Sequence, residues 1–117
     1  MAWQVEVTDW FERHWSTLDE EAQIRIDASV RLLEEFGTGL PFPYSSAISH
    51  SKVSNLRELR VQIKGHPYRY FYAFDTRRVA VVLCGGNKRG KKRFYEKFVP
   101  LAEKLFKRHL ENISKGN

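Results

Sequence analysis

The sequence predicts an α+β domain in which N-terminal helices and a C-terminal helix accompany a small, antiparallel-rich sheet. Three observations support this class: a long amphipathic helical pattern at residues 18–36, three consecutive strand-like runs between residues 58 and 84, and a second helical pattern near the end of the chain. Consecutive strands flanked by helices are typical of α+β domains. We expect one domain over residues 1–117, with helices on one sheet face and the other face free for a ligand.

The first twenty residues predict a short strand and a short helical turn. Trp3–Val7 alternates apolar and polar residues, as a half-buried strand does. Asp9 then stands where a helix N-cap is expected, before a turn that contains Phe11 and Trp15.

A longer helix is predicted from Leu18 to Phe36. Thr17 and Glu20 have the spacing of a capping box, and Gly37 stands where a helix commonly ends. Apolar residues recur at helical spacing between these signals. They include Leu18, Ala22, Ile26, Val30 and Leu33.

Residues 37–54 are predicted to be irregular, and three strands follow. Leu59, Val61 and Ile63 alternate with polar residues in the first strand, which places Glu58 and Arg60 together on its other face. The second strand, Tyr68–Phe74, carries bulky side chains on both faces. The third is continuously apolar, as a central strand is, and we expect glycines to end it. The third strand is Val79–Cys84, and the glycines are Gly85–Gly86. Asp75–Arg78 is predicted to be the hairpin connection between the second and third strands.

The last predicted element is a helix that begins near Tyr95 or Pro100 and extends to Ile113. Its apolar residues form a stripe at helical spacing. The stripe consists of Leu101, Ala102, Leu105, Phe106, Leu110 and Ile113.

The charge of the chain is strongly asymmetric. Residues 1–50 contain three basic and nine acidic residues, for a net charge of −6, whereas residues 51–117 carry a net charge of +12. Such a distribution points to a polyanionic partner for the second half. The alternative is an ordinary solvated basic surface.

Several classes of protein are disfavoured. A single cysteine, Cys84, excludes an intramolecular disulfide and a cysteine-based zinc site, and it indicates a reducing compartment. No run approaches the ~18 apolar residues that a membrane helix needs, and the N-terminus has no signal-peptide pattern. We therefore expect a cytoplasmic protein that does not engage a membrane.

Metal and nucleotide chemistry are also disfavoured. The four histidines have no metal-ligand spacing, and Glu58 and Asp75 do not form the carboxylate cluster of a two-metal nuclease. The glycines and lysines at residues 85–91 do not match a Walker loop. We expect neither a metal nor another cofactor, and we interpret Cys84 as a core residue.

Metal-free cleavage of RNA fits the remaining signals, because the 2′-hydroxyl itself is the nucleophile and the protein supplies cations and a proton carrier. Arg60 and Arg69 are the candidate phosphate ligands, since arginine stays charged and binds phosphate with two donors. A structural pair with Glu58 is an equal alternative for Arg60.

A basic loop and a tyrosine complete the candidate site. Tyr95 is a proton carrier if neighbouring cations lower its pKa, and otherwise a packing aromatic. The loop cations are candidate phosphate contacts as a group. They are Lys88, Arg89, Lys91, Lys92 and Arg93.

Over nearly its whole length the chain resembles toxins of the RelE/ParE superfamily, in particular the HigB-like, phage-derived branch of type II toxin–antitoxin systems. The resemblance rests on a set of short segments that are specific only together. They are LLEEFG (32–37), PY (43–44), NLRELR (55–60), YR (68–69), FYAFD (71–75), LCGGNK (83–88), RFYEK (93–97), PLA (100–102) and HL (109–110).

This resemblance implies a microbial-RNase-like fold and cleavage of mRNA on the ribosome that leaves a 2′,3′-cyclic phosphate. It also implies a cognate antitoxin, expected to be a small helix-turn-helix protein that forms a hetero-oligomer with the toxin. By match to the family pattern, Arg69 is the phosphate-binding arginine, while Lys91 and Tyr95 are the acid–base pair. Arg60 closes the L-x-E-L-R motif and Lys88 is the first cation of the loop.

The chain departs from the family pattern at three places. Glu58 stands near a position where RelE-type toxins have lysine, and Cys84–Gly86 replaces a histidine and an aromatic residue. Asn87 stands where close relatives have aspartate. Two other functions remain open at this point: a ParE-like toxin that inhibits DNA gyrase without cleaving RNA, and a non-toxic nucleic-acid-binding accessory protein.

Overall fold

A computed structural model describes residues 2–116, which form a five-stranded mixed sheet with helices on both faces. The strand order is β1-β5-β4-β3-β2, with β1 parallel to β5 and every other pair antiparallel. This confirms the predicted α+β class and its antiparallel-rich sheet. The elements are β1 (Val5–Val7), α1 (Asp9–Trp15), α2 (Glu20–Phe36), β2 (Ser45–Ala47), β3 (Arg57–Ile63), β4 (His66–Phe74), β5 (Ala80–Asn87) and α3 (Phe94–Ser114).

Both N-terminal helices begin at caps other than those predicted. Thr8, not Asp9, caps α1, and its hydroxyl accepts a hydrogen bond from the backbone N–H of Phe11. Asp19 caps α2 by accepting from the N–H of Ala22 at 2.9 Å, so the capping box at Thr17 was wrong. The hydroxyl of Thr17 instead donates to a carbonyl of α1, which ends there.

The first hydrophobic core lies between the sheet and helices α1 and α2. From α2, Ile26 and Leu33 are fully buried. They belong to one cluster with the inward-facing side chains of β3, as the alternation predicted. The sheet contributes Leu59, Val61, Ile63, Tyr70, Tyr72, Ala80 and Val82 to this cluster.

Helix α3 covers the opposite face, so the prediction of a free sheet face was wrong. Strands β4 and β5 are apolar on both sides, and burial of their second side requires another layer. Four residues of α3 provide this layer: Phe94, Phe98, Ala102 and Phe106. They pack on Phe71, Ala73, Val81, Leu83 and Cys84. Burial raises the pKa of the Cys84 thiol to about 12, in keeping with its predicted place in the core.

Strand β5 continues through the two glycines that were expected to end it. Gly85 pairs with Tyr70 and Gly86 pairs with Arg69, after a register shift between Phe71 and Tyr72. A Cβ at Gly85 would lie 2.0 Å from the carbonyl oxygen of Arg69, so a side chain here collides with the backbone of β4. Gly85 therefore lets β5 pass close to the strand that carries Arg69.

The connection between β4 and β5 is the predicted hairpin, and Asp75 holds it. Its buried carboxylate accepts hydrogen bonds from the backbone N–H groups of Arg77 and Val79 and from the side chains of Arg77 and His109. Burial alone would raise the pKa of Asp75, but these donors outweigh it and lower the pKa to about 2. Since His109 lies on α3, this network joins the helix to the hairpin. Within residues 2–116, no helix combines the length and apolarity needed to span a bilayer.

Candidate phosphate-binding site

The carboxylate of Glu58 is the centre of the candidate site. Oε1 accepts a hydrogen bond from the hydroxyl of Tyr95 at 2.8 Å, and Oε2 accepts one from the hydroxyl of Ser46 at 2.7 Å. Nη1 of Arg60 lies 3.5 Å from Oε2, and Nε of Arg69 lies 4.0 Å from Oε1. With its side chain only 5% exposed, Glu58 is a buried anion between two cations and a phenol.

The sheet register explains why these groups meet. Arg60 on β3 is directly opposite Arg69 on β4, and Glu58 is opposite Phe71. Residues two apart on a strand share a face, so Glu58 and Arg60 point to the same side as Arg69. Tyr95 lies in the first turn of α3, which packs on this face, and its hydroxyl contacts Glu58 from the helix.

Arg69 is buried and retains a free donor. Its Nη1 donates to the carbonyl of Tyr68 at 2.9 Å, whereas its buried Nε makes no hydrogen bond to any described protein atom. Buried polar groups without a partner are uncommon in folded proteins. Oε1 of Glu58 lies 4.0 Å from this nitrogen, so the Nε is enclosed by protein beside the carboxylate.

Arg60 forms the structural pair that the sequence offered as an alternative, and it remains partly exposed. It pairs with Glu58 at 3.5 Å, yet its side chain is 28% exposed. Its guanidinium carbon lies 5.0 Å from the centre of the Phe42 ring. The pair with Glu58 therefore orients Arg60 while leaving part of its guanidinium accessible to an anion.

Tyr95 does not have the lowered pKa that was expected for a proton carrier. Burial raises it, the hydrogen bond to Glu58 and the charge of Glu58 raise it further, and together they outweigh Arg69 and Arg60 to give a pKa of about 12. The ring also packs edge-on against Phe71. Tyr95 is thus both a packing aromatic and a neutral phenol bonded to a carboxylate.

The basic loop lies between β5 and α3 and is only partly joined to this cluster. The ammonium of Lys88 lies 5.2 Å from the centre of the Tyr95 ring, and Arg89 hydrogen-bonds to His66. Arg93 is 3.9 Å from Glu96. The other two loop cations, Lys91 and Lys92, are exposed and make no ion pair with a described residue.

Lys91 lies near a second polar group, on α1. Burial and the charge of Lys91 lower the pKa of His14. The imidazole Nε2 of His14 is 2.8 Å from the hydroxyl of Tyr70. The structure therefore brings Arg60, Arg69, Tyr95 and Lys88 together. It places Lys91 near His14 and Tyr70 instead, and Tyr70 faces the opposite side of β4 from Arg69.

Comparison with known families and structures agrees with this architecture. The model of the family described as Phage derived protein Gp49-like matches residues 13–107. The chain belongs to this family. The Gp49-like match therefore includes every residue of the candidate site.

Two relatives of this Gp49-like chain are HigB2 and HigB3 of Mycobacterium tuberculosis, both provisionally named as toxins. HigB2 is 34% identical over 95 residues, which is 80% of this chain and 47% of HigB2. HigB3 is 34% identical over 93 residues, which is 79% of this chain and 80% of HigB3. The chain thus spans about half the length of HigB2.

The fold is RelE-like. A solved structure of the Escherichia coli toxin RelE, a mutant in its free state, aligns with a TM-score of 0.58 over 92% of this chain and 98% of the other. Sequence identity is 12%, so this likeness concerns the fold. The Gp49-like match and the identity to HigB2 and HigB3 confirm the HigB-like resemblance that the sequence motifs indicated.

The central role of Glu58 was missed by the sequence analysis, which treated it as a departure or as a partner of Arg60. The alternation in β3 did place it beside Arg60, but the register of β3 and β4 brings Arg69 to it, and the packing of α3 brings Tyr95. Ser46 was missed as well, because residues 44–48 were expected to be irregular and instead include the edge strand β2. Across residues 2–116, no three His, Cys, Asp or Glu side chains converge to hold a metal ion.

Proposed function

We propose that this Gp49-like chain is the toxin of a type II toxin–antitoxin system and that it cleaves mRNA on the ribosome without a metal. The 2′-hydroxyl would attack the adjacent phosphate and leave a 2′,3′-cyclic phosphate. The observation that carries the proposal is the convergence of Arg60, Arg69 and Tyr95 on the buried carboxylate of Glu58. The naming of HigB2 and HigB3 as toxins supports the biological role.

In this mechanism the phosphate binds between the two arginines. The Arg69 guanidinium and the exposed part of the Arg60 guanidinium stabilise the negative charge that develops on phosphorus-bound oxygens. Lys88 adds a positive charge beside Tyr95. These three cations exceed the single negative charge of Glu58, so the site stays attractive to an anion.

Proton transfer follows from the hydrogen bond between Tyr95 and Glu58. The phenol oxygen accepts the 2′-hydroxyl proton while the phenol passes its own proton to Oε1 of Glu58. A phenol with a pKa of about 12 suits this relay, because it does not need to ionise in the free protein. The bond from phosphorus to the 5′-oxygen breaks, and Lys91 is the proposed donor of the proton that this oxygen takes.

The other cations and partners complete the proposal. Arg89, Lys92 and Arg93 contact phosphates on either side of the cleaved bond, which an exposed loop allows. A cognate antitoxin, proposed to be a small helix-turn-helix protein, binds the toxin in a hetero-oligomer. The toxin acts in the cytoplasm, on mRNA engaged by the ribosome.

The test is induced expression in a susceptible bacterium, with and without the adjacent gene, followed by mapping of mRNA 5′ ends within minutes. Wild type is expected to cut translated mRNA and to be suppressed by the neighbouring protein. Arg69→Lys is expected to lose cleavage because lysine does not reproduce the paired donors of the guanidinium. Tyr95→Phe is expected to lose cleavage because phenylalanine has no hydroxyl group. Arg108→Ala, an exposed arginine on α3, should cut as wild type does.

Each result has a distinct meaning. Intact toxicity in both Arg69→Lys and Tyr95→Phe at equal expression would refute the site. Growth arrest with intact mRNA would refute the nuclease and favour the gyrase-inhibiting alternative. Absence of arrest would favour the accessory nucleic-acid-binding protein.

A further inference from the structure

Two aromatic side chains are exposed on the turn before β2, next to the candidate site. Phe42 is 69% exposed and Tyr44 is 49% exposed, although both are large. The turn is ordered by its backbone: the N–H of Tyr44 donates to the carbonyl of Pro41 at 3.0 Å, and the N–H of Arg60 donates to the carbonyl of Tyr44 at 2.9 Å. The backbone that carries the two rings is therefore fixed by hydrogen bonds while the rings stay exposed, as in an interaction surface.

Phe42 has one covered face and one open face. The Arg60 guanidinium lies over the ring at 5.0 Å from its centre, which covers one side. The exposure of Phe42 leaves the rest of the ring accessible. A planar group that stacked on the open side of Phe42 would sit next to the cation proposed to bind phosphate.

A hollow joins this turn to the arginines. Its volume is about 410 Å³, and it lies between α2 and the part of β3 that β2 does not cover. Its lining combines cations with apolar and polar side chains. They include Arg25, Leu32, Tyr44, Arg60, Gln62 and Arg69.

We propose that this aromatic turn, Phe42 to Tyr44, is a base-stacking subsite that holds a nucleobase of single-stranded RNA flanking the cleaved phosphate. Single-stranded RNA is recognised by stacking its splayed bases on aromatic rings while cations bind its backbone. The turn and the hollow present both chemistries within one surface. This proposal rests on the proposed function. It makes the aromatic turn responsible for the base preference beside the cleavage site.

Charge favours a nucleic acid over an acidic or apolar protein segment as the occupant. Three arginines line the hollow, and Glu58, the carboxylate nearest to Arg60 and Arg69, is already bonded to Ser46 and Tyr95. A nucleotide supplies an anion and a flat ring in a fixed relation to each other. An acidic peptide would supply the anion but would leave the open face of Phe42 without a stacking partner.

The experiment is cleavage of a panel of mRNAs in cell-free translation, in which the bases on either side of the cleavage site are varied. Phe42→Ala and Tyr44→Ala are expected to lower the cleavage rate on the order of tenfold, as loss of one stacked base does, and to flatten the base preference. Phe42→Trp should keep both. Phe36→Ala, which removes an exposed phenylalanine at the end of α2, is the matched control and should behave as wild type.

A second measurement detects the contact itself. In mRNA substituted with 4-thiouridine beside the cleavage site, ultraviolet light should cross-link the base to the peptide that contains residues 42–44. Thermal unfolding of each variant verifies that the exposed substitutions leave the fold intact. The cross-link should disappear in Phe42→Ala while cleavage at a reduced rate persists.

The outcomes separate this inference from the proposed function. Cleavage by wild type, its loss in Arg69→Lys, and unchanged rate and base preference in Phe42→Ala and Tyr44→Ala would overturn the subsite alone. Weaker neutralisation by the antitoxin in these two variants, with unchanged cleavage, would show a protein-docking surface and also overturn it. Absence of cleavage by wild type would overturn both proposals.

Discussion

Glu58 is the residue on which the candidate site most depends, because its carboxylate is the common partner of two arginines and a phenol. A buried charge is tolerated only when it is paired and hydrogen-bonded. Glu58 provides that compensation for Arg69, whose side chain is 8% exposed. The same contacts hold the arginines in place before any ligand arrives, so the site is organised in advance.

This dependence gives a prediction for Glu58→Gln. The substitution keeps the size and an acceptor for Tyr95, but it leaves Arg69 as a buried cation without a counter-charge. We expect the free energy of unfolding in urea at pH 7 to fall by about 3 kcal/mol. Glu96→Gln, which removes the same charge from an exposed pair with Arg93, should cost less than about 1 kcal/mol. Equal stability of wild type and Glu58→Gln would mean that Arg69 is compensated elsewhere.

Individual residue types in the site were predictable, but their mutual contacts were not. Arg60 and Arg69 stand out in the sequence because an arginine in a strand of apolar and aromatic residues needs an anion or an open face. The opposition of Arg60 to Arg69 depends on the register of two strands, which a single sequence does not specify. The pKa of Tyr95 is raised first by burial and then by Glu58, and both depend on how α3 packs on the sheet.

At the level of elements, β5 requires a glycine where it approaches the part of β4 that carries Arg69. Gly85 has φ +155°, and a Cβ there would meet the carbonyl oxygen of Arg69 at 2.0 Å. The position of a Cβ is fixed by its own backbone, and the oxygen it meets is a backbone atom, so the collision cannot be relieved by a side-chain rotation. A glycine at this position therefore fixes how closely β5 approaches the segment of β4 that carries Arg69.

Gly85→Ala should accordingly damage stability and activity together. We expect a loss of about 3 kcal/mol in the free energy of unfolding, from overpacking and displacement of β4, and loss of mRNA cleavage. Gly39→Ala is the control, since nothing lies within 4 Å of its added Cβ, and it should be neutral or slightly stabilising. Wild-type cleavage by Gly85→Ala would show that the close approach of β5 does not position Arg69.

The β4–β5 hairpin carries a prediction for acidic pH. The pKa of Asp75 is lowered to about 2 in the folded protein, so its contribution to stability is complete above the unfolded value of 3.8 and is lost as the pH falls through about 2. In urea unfolding, wild type should exceed Asp75→Asn by about 2 kcal/mol between pH 5 and 7, with the difference shrinking below pH 3.8. Asp27→Asn, in an exposed pair with Arg31, should show no comparable difference. A constant gap down to pH 2 would exclude the charge of Asp75 as its source.

The periodicity of the sequence predicted where the helices and strands lie better than it predicted which elements pack against each other. The helical repeat placed α2 and the alternation placed β3, because these patterns reflect which side of an element is buried. The end of β5 was predicted wrongly, since glycine is a turn signal in isolation and only its fit against β4 keeps it in the strand. The packing of α3 on the second face of the sheet was also missed, because the apolar stripe of a helix does not indicate which sheet face the helix will bury.

At the scale of the whole molecule, the division of charge along the chain coincides with the division of the fold. Residues 1–50, which build β1, α1, α2 and the edge strand β2, carry a net charge of −6. The remaining residues, with a net charge of +12, build the three central strands, the basic loop and α3. Composition predicted this asymmetry, but α3 is itself rich in exposed lysine, so total charge alone does not identify where a polyanion binds.

The salt dependence of RNA binding separates the loop from the rest of that charge. Each phosphate contact on a single strand contributes about 0.7 to the slope of log K against log salt. Replacing Lys91, Lys92 and Arg93 by alanine should therefore lower the magnitude of the slope by about 2 for a single-stranded 2′-O-methyl RNA, which lacks the free 2′-hydroxyl needed for cleavage. The matched control replaces three exposed cations on α3, Lys104, Lys107 and Arg108, and so removes the same net charge. Its slope should equal that of wild type, because phosphate contacts are local whereas an effect of net charge would change both variants alike.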